Sequence, residues 1–379
     1  MTDKTKTPIH RRAFLGKTAL MGGTAGAASV LAAPAVLAQA PLTLKMQTSW
    51  PASNIWQEMA QDYVTRVEAM AGDRLKIDLL PAGAVVGAFQ VLDAVNDGLL
   101  DIAHSVPVYW YGKNKAASLF GTGPVFGGSA DTMMYWFYEG GGKALYDELT
   151  QDIMGLDVDG YMGFPMYAQP FGWFKDPVDT VEQLNGFKYR TVGLAADLMA
   201  KLGMSVAQLP GGEIVPAMER GVIDAFEFNN PSSDRDFGAQ DVAKNYYLGS
   251  YHQASESFEF LFNGLTMEDM EPDLKAILVH GVEAVSTANK AKAARRYSED
   301  LQKLQDESGV TVHRTSKAIL DAQLAAWDEL IPELEADEFM KRTLDSQRAW
   351  VEQVTFYELM NAPDYALAYE RYFPGKLKL

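Results

Sequence analysis

Arg190 ends the segment Leu184-Asn-Gly-Phe-Lys-Tyr-Arg190, in which a glycine turn leads into an alternating strand. A guanidinium at a strand end offers a planar, two-pronged match to a carboxylate. The same side chain can serve as one half of a surface ion pair, so its neighbours decide between the two. Tyr109-Trp110-Tyr111, Tyr167, Phe171, Trp173-Phe174, Phe226 and Phe228 fall near the expected strand ends. Small-ligand clefts are mostly apolar with a few placed polar groups, and this composition suits one. Aromatic residues also fill ordinary cores, so they support a cleft without establishing it.

Reaction chemistry is harder to assemble. The histidines are His10, His104, His252, His280 and His313, scattered and without HExxH-type metal spacing. No Gly-x-Ser-x-Gly elbow occurs. Gly121-Thr-Gly123-Pro-Val-Phe-Gly127 has the wrong spacing for a dinucleotide loop, and Gly140-Gly-Gly142 lacks the Lys-Ser/Thr ending of a phosphate loop. Asp157 and Asp159 read as a solvated edge. His104, at a strand end, is open to two readings, a base or a satisfied structural histidine.

These residues need elements to position them. Leu42–Gln47 and Leu75–Leu79 alternate as strands. Asn54 with Gln57 forms a capping-box pattern ahead of a helical face at Ile55, Met59, Val67 and Met70. A helix over about 88–96 and a strand over 99–105 follow. This β-α-β-α-β order is that of an α/β lobe. Residues 91–105 align without gaps on 214–228, matching Ala94 with Ala217, Gly98 with Gly221 and Asp101 with Asp224. Two similar α/β lobes are therefore expected, with ligand contacts near 104–111 and 227–231 at the strand ends. Residues 266–306 read as one long helix, with further helices at about 317–335 and 338–360. Apolar residues from Trp350 to Leu359 would pack across the lobes or form a dimer contact.

The first 38 residues read as an export signal. Arg11-Arg12 precede Phe14-Leu15, a Gly/Ala-rich apolar run follows, and Ala38 offers a cleavage site. The pattern fits a twin-arginine signal better than a membrane anchor. No later run of about 18 apolar residues occurs, so a soluble mature protein is expected. Over 379 residues, 33 Lys+Arg against 50 Asp+Glu give a net charge of −17, which disfavours nucleic acid and anionic membranes as partners. There is no cysteine, which removes disulfides, thiolate metal sites and cysteine nucleophiles.

The combination resembles the solute-binding proteins of tripartite ATP-independent periplasmic (TRAP) transporters. The matching pieces are Ala88-Phe-Gln90-Val-Leu-Asp-Ala94 through Asp101, Leu184-Asn-Gly186-Phe-Lys188-Tyr-Arg190, and Glu219-Arg-Gly221-Val-Ile-Asp224. Tyr111-Gly112-Lys113, Gln169 before Gly172-Trp173-Phe174, and Gly211-Gly212-Glu213-Ile214 place it nearest the α-keto-acid-binding branch. The resemblance implies a bilobal α/β periplasmic fold with hinge strands and long C-terminal helices. Residues 39–165 would form mainly the first lobe, 166–264 mainly the second, and 265–379 helices crossing both.

It further implies a receptor, not an enzyme, that captures a small monocarboxylate, a 2-oxo or 2-hydroxy acid such as pyruvate, for membrane permease subunits. Arg190 would clamp the carboxylate, with Gln169, Phe228, Tyr109 and Trp110 around the ligand. Gln169, Glu227, the Phe228 carbonyl and Gln253 match the branch's cation ligands. Phe228 replaces the branch's tryptophan and Gln253 its glutamate. The lost charge favours Na⁺ over Ca²⁺, or a site without metal. The branch also dimerises through an exchanged C-terminal helix, with which Trp350, Val354, Phe356, Tyr357 and Leu359 are compatible. Receptors for a sugar acid or an aromatic carboxylate, and an exported enzyme, are the competing readings.

Overall fold

The computed structural model describes residues 40–377, so the twin-arginine segment lies outside the described residues. In chain order the strands are β1 (Leu42–Thr48), β2 (Leu75–Leu80), β3 (Ile102–Ser105), β4 (Val158–Met166), β5 (Gly172–Phe174), β6 (Lys188–Arg190), β7 (Ser205–Ala207), β8 (Ala225–Phe226), β9 (Asn245–Leu248), β10 (Glu256–Asn263) and β11 (Thr311–Arg314). They form two mixed sheets with the orders β2-β1-β3-β10-β4 and β11-β9-β5-β8-β6-β7. Helices cover the faces, giving the two α/β lobes.

The internal repeat has a direct structural counterpart. The helices Val91–Asn96 and Gly211–Glu219 are each followed by a left-handed glycine, Gly98 at φ 70° and Gly221 at φ 67°, a backbone that a side chain would strain. The aspartates then clamp the neighbouring parallel strand. Asp101 Oδ2 accepts the Lys45 amide at 2.7 Å, and Asp224 Oδ2 accepts the Lys188 amide at 3.2 Å. This sets β3 beside its parallel partner β1, and β8 beside its parallel partner β6.

The chain crosses between the sheets three times. Residues 167–171 link β4 to β5, residues 249–255 link β9 to β10, and the helix Pro272–Asp306 runs alongside both. At about 1.5 Å per residue that 35-residue helix is about 50 Å long. Its early part packs on β4, and Tyr297 and Leu304 reach the core that holds Trp173 and Tyr246. The helices Lys317–Leu334 and Glu338–Asn361 tie the lobes a further time. Trp327 and Leu330 share one core with Leu198 and Met199 of the second lobe and with Leu344 and Val351, which lie against the first. Beyond Thr355 the helix Glu338–Asn361 and the short helix Tyr365–Tyr372 that follows it are largely exposed.

Several expected boundaries move. Residues 256–263 fall within the span read as mainly the second lobe, yet they form β10, which pairs antiparallel with β3 and β4 inside the first sheet. The strand expected over 99–105 begins at Ile102, because the Leu99 and Leu100 amides still bond the Ala94 carbonyl. The long helix starts at Pro272 and not at 266. Proline suits a first helical turn, where no amide partner is required, and a separate short helix covers Gly264–Asp269. Asn54 caps its helix by accepting the Trp56 amide, but Gln57 accepts the Thr48 hydroxyl at 2.5 Å in place of closing the capping box.

β10 is buried along its whole length and carries an acid into the first core. Glu259 is fully buried, with Trp110 Nε1 donating to Oε1 at 2.5 Å and Tyr146 Oη donating to Oε2. Burial pushes its carboxyl from 4.5 up to about 7, against the pull of those two bonds. The folded state therefore holds this proton more tightly than the unfolded chain. Its contribution to stability is complete below pH 4.5 and is lost as pH rises to about 7. Urea unfolding across that window should show Glu259→Gln with a shallower fall than wild type, by on the order of 3 kcal/mol. An unchanged slope would show that Glu259 titrates normally.

Candidate functional site

β6 ends on Arg190, whose side chain is 1% exposed. Its Nε donates to the Leu209 carbonyl at 2.8 Å. One terminal nitrogen donates to the Glu227 carbonyl at 2.8 Å and to Glu227 Oε1 at 2.9 Å. The other terminal nitrogen, NH2, is buried without a partner. A buried guanidinium N–H left unpaired is costly, so this nitrogen marks where an acceptor belongs. The Phe228 ring packs over the guanidinium with its centroid 5.5 Å from the Arg190 Cζ. Gly211 makes room for that ring, because a Cβ there would lie 2.6 Å from two of its carbons.

Glu227 directly follows β8, and its amide donates to the Arg190 carbonyl. It is fully buried, and burial pushes its carboxyl from 4.5 up to about 7 while Arg190 pulls it down. One of its oxygens takes Arg190; Oε2 is buried without a partner. Gln169 and Gln253 sit on the two crossings 167–171 and 249–255, and the Gln169 amide donates to the Gln253 carbonyl at 2.9 Å. Gln253 Nε2 donates to the Val192 carbonyl, and Gln169 Nε2 donates to Glu256. Both side-chain oxygens remain, and both are buried without partners.

Three unpartnered oxygens on the expected ligand set fit a hard cation, which oxygen donors suit. Among the described residues no group of three or more His, Cys, Asp or Glu is placed to hold a metal. The Phe228 carbonyl would complete the set of oxygens.

The aromatic expectations divide. The Tyr109 phenol is raised by burial and feels the charges of Arg190, Glu256 and Glu227, which places it with the site. Trp110, next along the same turn, does not join it. Its ring lies in the first core and its N–H is committed to Glu259, because successive residues of a tight turn point in different directions. His104 is a structural residue. Its Nδ1 accepts the Trp50 indole N–H at 2.8 Å, and burial pushes its pKa down to about 3. Of the two readings of His104, a base or a satisfied structural histidine, this geometry matches the second.

Sequence reasoning missed Glu256 and Asn229. Glu256 Oε2 accepts both Gln169 Nε2 and Asn229 Nδ2, and burial raises its carboxyl to about 8, reinforced by Glu227. Asn229 also accepts the Trp56 indole N–H at 2.9 Å, joining the first lobe to the second. The span 227–231 was flagged as a strand end, but nothing in it marks Asn229. Asp234 accepts the Trp173 indole N–H and the Asn229 amide, fixing the backbone beside Glu227 and Phe228.

Comparison with known proteins gives the family. The family described as bacterial extracellular solute-binding protein, family 7, matches residues 46–338. A monocarboxylate 2-oxoacid-binding periplasmic protein of Nostoc sp. (strain PCC 7120) is 36% identical over 219 residues, which is 58% of this chain. The chain spans 59% of the length of that relative. A TRAP solute-binding protein of Pseudoalteromonas atlantica T6c with bound sodium and pyruvate superposes with a TM-score of 0.80 at 28% identity, over 87% of this chain and 99% of the other. One of Bordetella bronchiseptica RB50, a dimer with copurified calcium and picolinate, does so with a TM-score of 0.80 at 26% identity, over 88% and 98%. No helix among the described residues is long and apolar enough to cross a membrane. By the family match and by its two-lobed fold, this chain belongs to family 7 of the bacterial extracellular solute-binding proteins.

Proposed function

We propose that the chain is the periplasmic receptor of a TRAP transporter and captures a small 2-oxo monocarboxylate such as pyruvate together with Na⁺. The observation that carries this is the set of buried polar atoms without partners: one nitrogen of Arg190 and one oxygen each of Gln169, Glu227 and Gln253. A carboxylate on Arg190 satisfies the nitrogen, and a hard cation satisfies the oxygens.

Charge balance asks for both. Glu227 already neutralises Arg190, so a monoanion alone would bring one uncompensated charge into a buried site. A cation there supplies the opposite charge. Gln253 contributes an amide and not a carboxylate, which favours Na⁺ over Ca²⁺. Phe228 and Tyr109 exclude water, and closure of the lobes stabilises the state that contacts the ligand from both sides. The receptor performs no reaction and passes its ligand to membrane permease subunits. The twin-arginine-type segment would deliver it to the periplasm. A second copy of the chain is the proposed cover for the end of the last long helix, where Phe356, Tyr357, Leu359 and Met360 are 66–72% exposed.

Calorimetric titration of refolded, ligand-free protein with pyruvate and longer 2-oxo acids is the direct test. Affinity should weaken by about tenfold or more when Na⁺ is replaced by choline. Binding of picolinate in place of any 2-oxo acid would move the reading to an aromatic carboxylate receptor. Arg190→Ala should lose about 2–5 kcal/mol of binding, and Arg190→Lys should fall between it and wild type, because an ammonium keeps the charge without the fork. Wild-type affinity in a folded Arg190→Ala protein would remove Arg190 from the site. Deleting residues 356–379 should convert a dimer to a monomer in light scattering; an unchanged mass would place the contact elsewhere.

A further inference from the structure

An amide has a donor end and an acceptor end of nearly equal size, so Gln169 could meet the site with either. Glu256 removes that choice. Its Oε2 accepts Gln169 Nε2 at 2.7 Å and Asn229 Nδ2 at 2.8 Å. The residue is 2% exposed, and with both amide nitrogens on Oε2 that oxygen acts as an acceptor whether the carboxyl is ionised or carries its proton on Oε1. With its nitrogen held there, Gln169 has only its oxygen to present, and that oxygen is the buried one without a partner.

The support behind Glu256 is itself fixed. Asn229 Oδ1 accepts the Trp56 indole N–H at 2.9 Å and Asn230 Nδ2 at 2.6 Å, so its own amide cannot turn over. The other two oxygens have separate anchors. Gln253 is held by the Val192 carbonyl and Glu227 by Arg190. Glu256 therefore acts on one oxygen of the three, through one residue.

We propose that Glu256 is a positioning residue that turns the Gln169 amide so that its oxygen faces the bound cation. This rests on the cation-assisted capture argued above. Groups that orient a metal's ligands from behind set its affinity, and their loss costs about 10–100-fold.

The test is pyruvate titration of the full chain over a NaCl series, with choline chloride holding the ionic strength. Glu256→Leu should raise the half-saturating Na⁺ concentration by about tenfold or more. Glu256→Gln keeps an oxygen that can accept both bonds and should shift it by less than about threefold. In a Gln169→Ala background Glu256→Leu should add less than about twofold, because the residue it acts through is gone. Full multiplication of the two effects, or a lowered melting temperature with an unchanged Na⁺ requirement, would overturn the assignment.

Should the leucine variant not fold, Gln169 labelled with ¹³C and ¹⁵N in the wild-type protein decides. Its side-chain Cδ should shift on Na⁺ addition while its amide protons stay protected from exchange. Fast exchange, or no Cδ shift, overturns the proposal. A wild-type protein whose pyruvate binding ignores Na⁺ overturns the capture reading and this assignment together. A Na⁺-dependent wild type with an unshifted leucine variant overturns the assignment alone.

Discussion

A guanidinium taken out of water needs its lost hydrogen bonds returned by neighbours, and Arg190 imposes that requirement on much of the second lobe. The Leu209 carbonyl, the Glu227 carbonyl and the Glu227 carboxylate each return one. Removing one partner of such a buried pair typically costs about 3–5 kcal/mol. The end of β6, the turn near residue 209 and the end of β8 are thereby held in one register, and Phe228 is seated on the result. The pair is neutral and keeps one guanidinium nitrogen and one carboxylate oxygen unpartnered, so it has room for one acceptor and for one donor or cation.

The same economy governs the crossings. Gln169 and Gln253 sit on the two segments that link the sheets, joined by a main-chain bond. On the proposed reading, the segments that join the two sheets also supply part of the capture site. A rotation of the lobes cannot leave the oxygens undisturbed, and a ligand held by them resists that rotation. Trp56 reaching Asn229 from the helix Ile55–Ala71 adds a contact of the same kind between the lobes.

Much of this was legible in the sequence, for identifiable reasons. Arg190 follows a glycine turn in an alternating strand, and the repeated Gly-x-x-Asp ends are local signals with local causes. Gln169, Glu227 and Gln253 were reached through the family resemblance, and the structure leaves an unpartnered oxygen on each. Trp110 failed because composition cannot say which of two consecutive aromatics on a tight turn faces the cleft. Glu256 was missed because β10 is covered on both faces, so alternation carries no information about which residues are inside. The place of β10 itself depends on pairing with strands about 100 to 150 residues earlier, which no short window reports.

That pairing has a consequence for synthesis. β3 is complete at Ser105, with β1 on one side, but its other neighbour begins at Glu256. About 150 residues must be translated before that edge is covered, which at 5–20 residues per second takes roughly 10–30 seconds. Through that interval the nascent chain carries an unpaired strand edge, a template for joining another chain. The second sheet waits longer, because its outer strand β11 begins at Thr311. The last strand of the first sheet ends at Asn263 and the last strand of the second begins at Thr311, so the first sheet can close before the second, and both close only in the final third of the chain.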